Sequence, residues 1–244
     1  MAPGAKFHCP GLDCGAEPVL YAFGQAGTGA GAWSGLRAEL AGAVELRAVR
    51  LAGRESRFGE PPPATVQAQV ADLAGDLAAL VRSDDRKYVL LGHCSGAVTA
   101  FETARALRDL SVREPAALAV ADQVAPAELA GLVDPVHEFG AARFRQWCLD
   151  TLPDRPELGD EEIFEFFEPV LRADFCALST YAYKPEPVLS CPVVVLRRGA
   201  PDPAAPTRWD EVTTGQVTVK TTAIPSQTAS MARFVRDVVP LARG

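Results

Sequence analysis

The order of apolar and polar positions along the chain predicts strands that alternate with helices. Short apolar runs such as 88–91 are typical of strands buried on both faces of a parallel sheet. Apolar residues at helical spacing over 66–80 predict an amphipathic helix that covers one sheet face. The predicted strands are 17–23, 44–51, 88–91, 116–121, 193–196 and 216–222, and the predicted helices include 32–40, 66–80, 97–107 and 231–241. This alternation predicts an α/β fold with a mostly parallel central sheet.

One stretch combines a predicted strand, a tight turn and a predicted helix. The turn has the pattern Gly92-x-Cys94-x-Gly96. It resembles the nucleophile elbow of α/β-hydrolases, in which two glycines let strand and helix approach and a strained turn exposes the nucleophile. The pattern predicts Cys94 as the nucleophile. A buried, inert cysteine at the edge of a parallel sheet is the alternative.

A glycine-rich loop, 24–31, follows the first predicted strand. Its glycines lack the spacing of a dinucleotide-binding loop, and no Gly-Lys-Ser/Thr follows. In an α/β-hydrolase such a loop supplies one backbone N–H to the oxyanion hole, and the residue after the nucleophile supplies the second. The candidate donors are therefore Ala26 and Ser95. A loop with only a connecting role is the alternative.

Between the strand at 116–121 and the strand at 193–196 the pattern changes to helical pieces with bulky aromatic residues. We expect residues 123–181 to form a helical lid, and residues 1–122 and 182–244 to form the core. Four aromatics of the lid are candidates for an acyl pocket, although each of them also fits a role in packing the lid: Phe139, Phe144, Trp147 and Phe167. Asp202 follows a late strand, where a hydrolase triad places its acid.

Composition and charge exclude several classes of function. The 244 residues are 48% hydrophobic and 23% charged, and the formal net charge of −7 disfavours nucleic acid or an anionic membrane as partner. No apolar run approaches a membrane span, and no signal core follows the N-terminus, so we expect a cytoplasmic protein. Six cysteines without a C-x-x-C pattern predict free thiols, and no metal site is expected.

Several longer motifs carry a resemblance to the type II thioesterases of nonribosomal peptide and polyketide synthesis. The matching stretches are FGQAG at 23–27, GRESR at 53–57, the elbow, LRADF at 171–175 with Tyr181 and Tyr183, and CPV at 191–193. The resemblance implies an α/β-hydrolase fold with a mobile lid and a monomeric enzyme. It also implies an acyl or aminoacyl thioester substrate on the phosphopantetheine arm of an acyl or peptidyl carrier protein, with no cofactor of the chain's own.

The chain departs from that family in two ways. The nucleophile position holds Cys94 instead of serine, and the loop after the last strand, where the family's catalytic histidine belongs, contains none. Two histidines are candidate substitute bases: His93 precedes the nucleophile, where the family often has histidine, and His137 lies in the lid. Gln227 in the last loop is a candidate polar group but not a base.

These departures favour acyl transfer over hydrolysis. A thiol needs a base less than a hydroxyl does, and we expect the helix N-terminus at Cys94 to lower the pKa of its thiol. Exchange between thioesters is nearly balanced, whereas attack by water requires a base worth about 10²–10⁴-fold. By analogy, relatives with a cysteine elbow shuttle aminoacyl groups between carriers. Two alternatives stay open: a cyclase or isomerase without a covalent step, and an inactive carrier-binding homologue.

Overall fold

A computed structural model describes residues 6–9, 15–198, 207–223 and 227–243. Its seven strands form one sheet in the order β1-β3-β2-β4-β5-β6-β7, and every pairing is parallel except that of β1 with β3. The strands are β1 (Phe7–His8), β2 (Val19–Phe23), β3 (Glu45–Val49), β4 (Tyr88–His93), β5 (Ala117–Ala121), β6 (Val193–Arg198) and β7 (Val217–Thr222). The helices are α1 (Ser34–Glu39), α2 (Val66–Arg82), α3 (Ser95–Asp109), α4 (Ala141–Thr151), α5 (Glu161–Ser179) and α6 (Gln227–Arg243).

The predicted α/β-hydrolase architecture is confirmed: a mostly parallel sheet with helices on both faces. Successive residues of the buried strands point to opposite faces. In β4, Leu90 belongs to an apolar cluster with residues of α2 and α3, whereas Leu91 belongs to a second cluster with residues of α1 and α6. Both faces are covered, which is why these strands are almost continuously apolar.

Two element boundaries differ from the prediction. The antiparallel strand β1 has only two residues, which is too short for a periodic signal. Helix α6 begins at Gln227, four residues before the predicted start at Met231. The prediction began later because Gln227 to Ser230 lack the apolar pattern on which it relied. The earlier start places Gln227 on the first turn of a helix instead of a loop.

Between β5 and β6 the chain leaves the sheet and forms α4, α5 and three short 3₁₀ turns. The interior of this helical segment is an apolar cluster of its own, which includes Phe144, Phe164 and Leu171 and extends to Ala26 of the glycine loop. Asp160 begins α5 by accepting a hydrogen bond from the N–H of Ile163 at 3.0 Å. The segment therefore packs onto the glycine loop at the carboxyl edge of the sheet.

Candidate active site

Cys94 lies at the sharp turn between β4 and α3. Its backbone has φ 52° and ψ −125°, a conformation that residues other than glycine rarely adopt. The two glycines make this turn possible. A Cβ on Gly92 would lie 2.3 Å from the Cα of Ala97, and one on Gly96 would lie 2.4 Å from the carbonyl oxygen of Phe23. The second contact brings the end of β2, and with it the glycine loop, against the start of α3.

The electrostatic surroundings of Cys94 contradict the expected lowering of its pKa. Burial raises the pKa of the Cys94 thiol above its ordinary value, and the charge of Asp122 adds to this effect. The N–H of Ser95 and the charge of Arg198 act in the opposite direction but do not reverse it. The expectation was wrong because it counted the helix N-terminus and not the loss of water around a partly buried thiol. At neutral pH the resting side chain is therefore mainly the thiol.

The first predicted oxyanion donor, Ala26, lies in a tight turn from Gln25 to Thr28. The N–H of Thr28 donates to the carbonyl of Gln25 at 3.2 Å, and Gly27 has φ +73°, as the third position of a type II turn requires. The hydroxyl of Thr28 also donates to the carbonyl of Gln25, at 2.7 Å. Ala26 is 5% exposed. The second predicted donor, Ser95, is buried as the first residue of α3, and its N–H contacts the sulfur.

His93, the first candidate base, faces two partners other than the thiol. Its Nε2 lies 3.1 Å from Oδ2 of Asp122, which also pairs with Nε of Arg198 at 2.8 Å. The amide nitrogen of Gln227 lies 3.3 Å from each ring nitrogen. Because it is equally far from both nitrogens, the Gln227 amide lies against the face of the ring. The structure thus brings His93 and Gln227 together, with Asp122 as the partner of Nε2.

Asp122 was not among the predicted site residues. Burial acts to raise the pKa of its carboxyl group, but hydrogen bonds from His93 and Arg198 hold that pKa below its ordinary value, so Asp122 is a carboxylate. Its place immediately after β5 is the available signal in the sequence, because polar residues at the carboxyl ends of parallel strands converge on one edge.

The other two predicted residues of the acid–base machinery have different outcomes. His137 lies in a 3₁₀ turn of the lid segment with 42% of its side chain exposed. Its ring contacts Oγ of Ser179 at 3.3 Å and the carboxylate of Glu138 at 3.8 Å. The structure does not bring it to Cys94. Asp202 lies outside the described residues, so its role as the triad acid stays a prediction.

The four aromatics assigned to an acyl pocket pack within the lid segment. Phe144 stacks on Trp147 with ring centres 6.1 Å apart, and Phe139 meets Trp147 edge-on at 6.4 Å. Phe167 lies beneath the guanidinium of Arg155. A cavity of about 140 Å³ is lined in part by His93 and Gln227, and none of the four aromatic residues lines it. In this structure the four rings build the interior and edge of the lid, and their acyl-pocket role stays a prediction.

Neither a metal-binding cluster nor a membrane-spanning helix is found in the part of the chain that the structure describes. Among the described residues, no group of three or more His, Cys, Asp or Glu side chains is arranged to hold a metal ion. Across the same residues, no helix has both the length and the apolar character needed to cross a bilayer.

Sequence analysis also left two motifs without a role, and the structure joins them. Arg54 of GRESR and Asp174 of LRADF form a buried ion pair beside the Gln25–Thr28 turn. No periodicity signals this contact, because the two residues are 120 positions apart. The one signal in the sequence was that both motifs are among the stretches that resemble type II thioesterases.

Comparison with known proteins gives consistent results. The family model described as Thioesterase domain matches residues 18–233. The chain is 32% identical over 199 residues to "Linear gramicidin dehydrogenase LgrE" of Brevibacillus parabrevis, covering 78% of this chain and 73% of that one. It is 32% identical over 184 residues to "Thioesterase PikA5" of Streptomyces venezuelae, covering 72% and 63%.

Among solved structures, the fold is similar to that of the RedJ thioesterase from the prodiginine biosynthetic pathway in Streptomyces coelicolor. The TM-score is 0.78 at 27% identity, and the match covers 94% of this chain and 92% of that one. The homologues include thioesterases of polyketide and other antibiotic biosynthetic pathways. With a family model that spans most of the sequence and a sheet and elbow to match, this chain belongs to the thioesterase family.

Proposed function

We propose that the protein transfers acyl or aminoacyl groups between carrier-protein thioesters through Cys94, and hydrolyses them only slowly. The partner is an acyl or peptidyl carrier protein, whose phosphopantetheine arm brings the thioester, so the chain needs no cofactor of its own. The observation that carries the proposal is the asymmetry around Cys94. The turn with Ala26 is held in place by Asp174, whereas His93 pairs with Asp122 instead of Cys94, and Gln227 lies against its ring.

The transfer step balances without a resident base. The Cys94 sulfur attacks the carbonyl carbon of the thioester, and the carbonyl oxygen becomes an oxyanion that the N–H groups of Ala26 and Ser95 stabilise. The intermediate then collapses, the bond to the phosphopantetheine sulfur breaks, and the proton lost by Cys94 is taken up by the departing thiol. One thioester replaces another, so the step runs in both directions.

Hydrolysis places a different demand on the site. Water is a much weaker nucleophile than a thiolate, and its proton must be accepted as it attacks the acyl-Cys94 bond. Among the described residues, His93 pairs with Asp122 and His137 contacts Ser179 within the lid segment, and neither ring hydrogen-bonds to Cys94. A second carrier's thiol brings its own nucleophilicity and therefore discharges the intermediate faster.

The decisive experiment is intact-protein mass spectrometry after mixing the protein with acyl- and aminoacyl-loaded carrier proteins. We expect a mass gain equal to the acyl group, lost in Cys94→Ala and retained in Cys176→Ala, a matched control at another partly exposed free cysteine. Addition of an unloaded carrier should discharge the adduct at least tenfold faster than buffer does.

Three results would overturn the proposal. Rapid decay of the adduct to the free acid in buffer would identify a hydrolase. Absence of any adduct, with substrate turnover that survives Cys94→Ala, would identify a non-covalent cyclase or isomerase. Carrier binding without adduct or turnover would identify an inactive binding homologue.

A further inference from the structure

The ion pair between Arg54 and Asp174 is buried and two-pronged. Arg54 and Asp174 are 8% and 4% exposed. Nη2 donates to Oδ1 at 3.0 Å, and Nη1 donates to Oδ2 at 3.1 Å. Removing two charges from water is costly even when they are paired, so such a pair is weak evidence for stability alone. Asp174 belongs to lid helix α5, and Arg54 belongs to the core, so the pair joins two parts of the molecule.

Both members of the pair also hold the turn that carries Ala26. The N–H of Gly27 donates to Oδ2 of Asp174 at 2.8 Å, and Nη1 of Arg54 donates to the carbonyl of Thr28 at 2.8 Å. Leu171, one helical turn before Asp174, covers the same place: a Cβ on Gly27 would lie 2.4 Å from its Cδ2. One face of α5 therefore sits directly on the turn.

A second set of contacts connects Asp174 to the helix that begins at Ser95. Nε2 of Gln69 lies 3.4 Å from Oδ1 of Asp174, and the hydroxyl of Thr99 on α3 donates to Oε1 of Gln69 at 2.7 Å. A cavity of about 20 Å³, enough for about one water, is lined by Ser95, Thr99, Gln69 and the ion pair. The carboxylate is thus connected to the segments of both predicted oxyanion donors.

The far end of the glycine loop is held without the lid. Oε1 of Glu55 accepts from the N–H of Gly31 at 2.8 Å, and Oε2 of Glu55 accepts from Nε of Arg50 at 2.5 Å. All three residues belong to the core. Only the near end, with Ala26 and Gly27, depends on a residue of α5. Movement of α5 would therefore release the donor turn and leave the rest of the loop in place.

We propose that Arg54 and Asp174 are positioning residues that couple the lid to the oxyanion hole. With α5 seated, Asp174 fixes the Gly27 peptide and with it the N–H of Ala26. Displacement of α5 from the core would remove that constraint from the turn, and its return would restore it. This inference rests on the proposed function, because it assigns the pair to the acylation of Cys94.

The test compares two double variants that both lack the ion pair. Arg54→Met with Asp174→Asn keeps an oxygen that accepts from Gly27, whereas Arg54→Met with Asp174→Leu removes it. Neither leaves a buried charge uncompensated, so both are expected to fold. Arg54→Met with Asp174→Ala replaces the leucine variant if the larger side chain is not accommodated.

A lid control comes from the exposed contact between Phe58 of the core and Phe166 of α5. The rings stack 5.3 Å apart at 10°, and each residue is more than half exposed. Phe58→Ala removes one exposed contact between the core and α5 and leaves in place every group that holds the Gly27 turn.

Two reactions of Cys94 separate positioning from general damage. Acylation by a loaded carrier develops an oxyanion, whereas alkylation by iodoacetamide does not. We expect the leucine variant to be acylated at least tenfold more slowly, while its alkylation rate is unchanged. The slower acylation should appear as a lower kcat and not as a higher KM. The asparagine variant should recover to within about threefold of the parent, and Phe58→Ala should leave the ratio of the two rates unchanged.

Hydrogen exchange at the Gly27 amide gives a readout that does not depend on activity. We expect faster exchange in the leucine variant than in the asparagine variant. Equal exchange in both variants, or an equal fall in acylation and alkylation, would overturn the coupling. If the parent protein forms no acyl adduct, the proposed function fails, and the exchange comparison still decides whether Asp174 holds the turn.

Discussion

The two sides of Cys94 are built to different degrees. On the oxyanion side, the Ala26 turn is held by an intraturn hydrogen bond, by a buried carboxylate and by a guanidinium. On the other side, His93, Asp122 and Gln227 bond to one another. Under the proposed function, capture of an acyl group and activation of water are separate capacities, and this site keeps the structure for the first without a base directed at Cys94 for the second.

The largest effect is expected for Cys94→Ser. This variant tests whether a nearby base can activate a hydroxyl at residue 94 when the thiol is absent. A serine hydroxyl is essentially un-ionised and depends on a neighbouring base. We expect acyl uptake from loaded carriers to fall by about 10³-fold or more, toward the level of Cys94→Ala, as measured by intact mass. Retention of more than a tenth of the parent rate would show that a competent base acts on residue 94.

Arg54→Met tests the stability of the better-built side. It leaves the Asp174 carboxylate buried without its cation, and loss of one partner of a buried pair costs about 3–5 kcal/mol. We expect a loss of this size in the free energy of unfolding, measured by urea denaturation. Arg236→Met, at an arginine whose side chain is 53% exposed, is the matched control and should cost less than about 1 kcal/mol. An equal loss in the free energy of unfolding for both variants would mean that Arg54 contributes no more than an exposed surface ion pair.

The pH dependence of Cys94 alkylation tests the surroundings of the thiol, and the expected change is the smallest of the three. Because burial raises the pKa of the Cys94 thiol, the thiolate forms only at higher pH than in a free cysteine, whose pKa is about 8.5. The alkylation rate should therefore rise about tenfold per pH unit from pH 7 and continue to rise beyond the point where N-acetylcysteine levels off. A plateau below that point would mean that a nearby group stabilises the thiolate.

Periodicity and turn chemistry were sufficient to predict six of the seven strands, the flanking helices and the elbow. The buried strands are continuous apolar runs, and Gly92 and Gly96 are required by close backbone contacts, so both leave a local signature. The glycine loop was also expected, but the Gln25–Thr28 turn within it, in which Gly27 has a positive φ, was not predicted. The strands, the elbow and the glycine loop depend on neighbours in sequence, which is why sequence analysis found them.

The rest depended on contacts between distant residues. Arg54 meets Asp174 across 120 positions, and His93 meets Gln227 across 134. Nothing local in the sequence states which of several polar groups His93 faces, or that burial outweighs the helix N-terminus at Cys94. The electrostatic prediction was wrong for that reason: a pKa depends on how much protein surrounds a group, and that quantity exists only in the folded chain.

The backbone of Cys94 has a consequence for how variation acts on this protein. A positive φ at a residue with a side chain costs on the order of 1–3 kcal/mol, and glycine would relieve it. Stability alone would therefore favour glycine at position 94. A cysteine at this strained position fits its proposed role as nucleophile, because activity and stability commonly oppose each other at such sites.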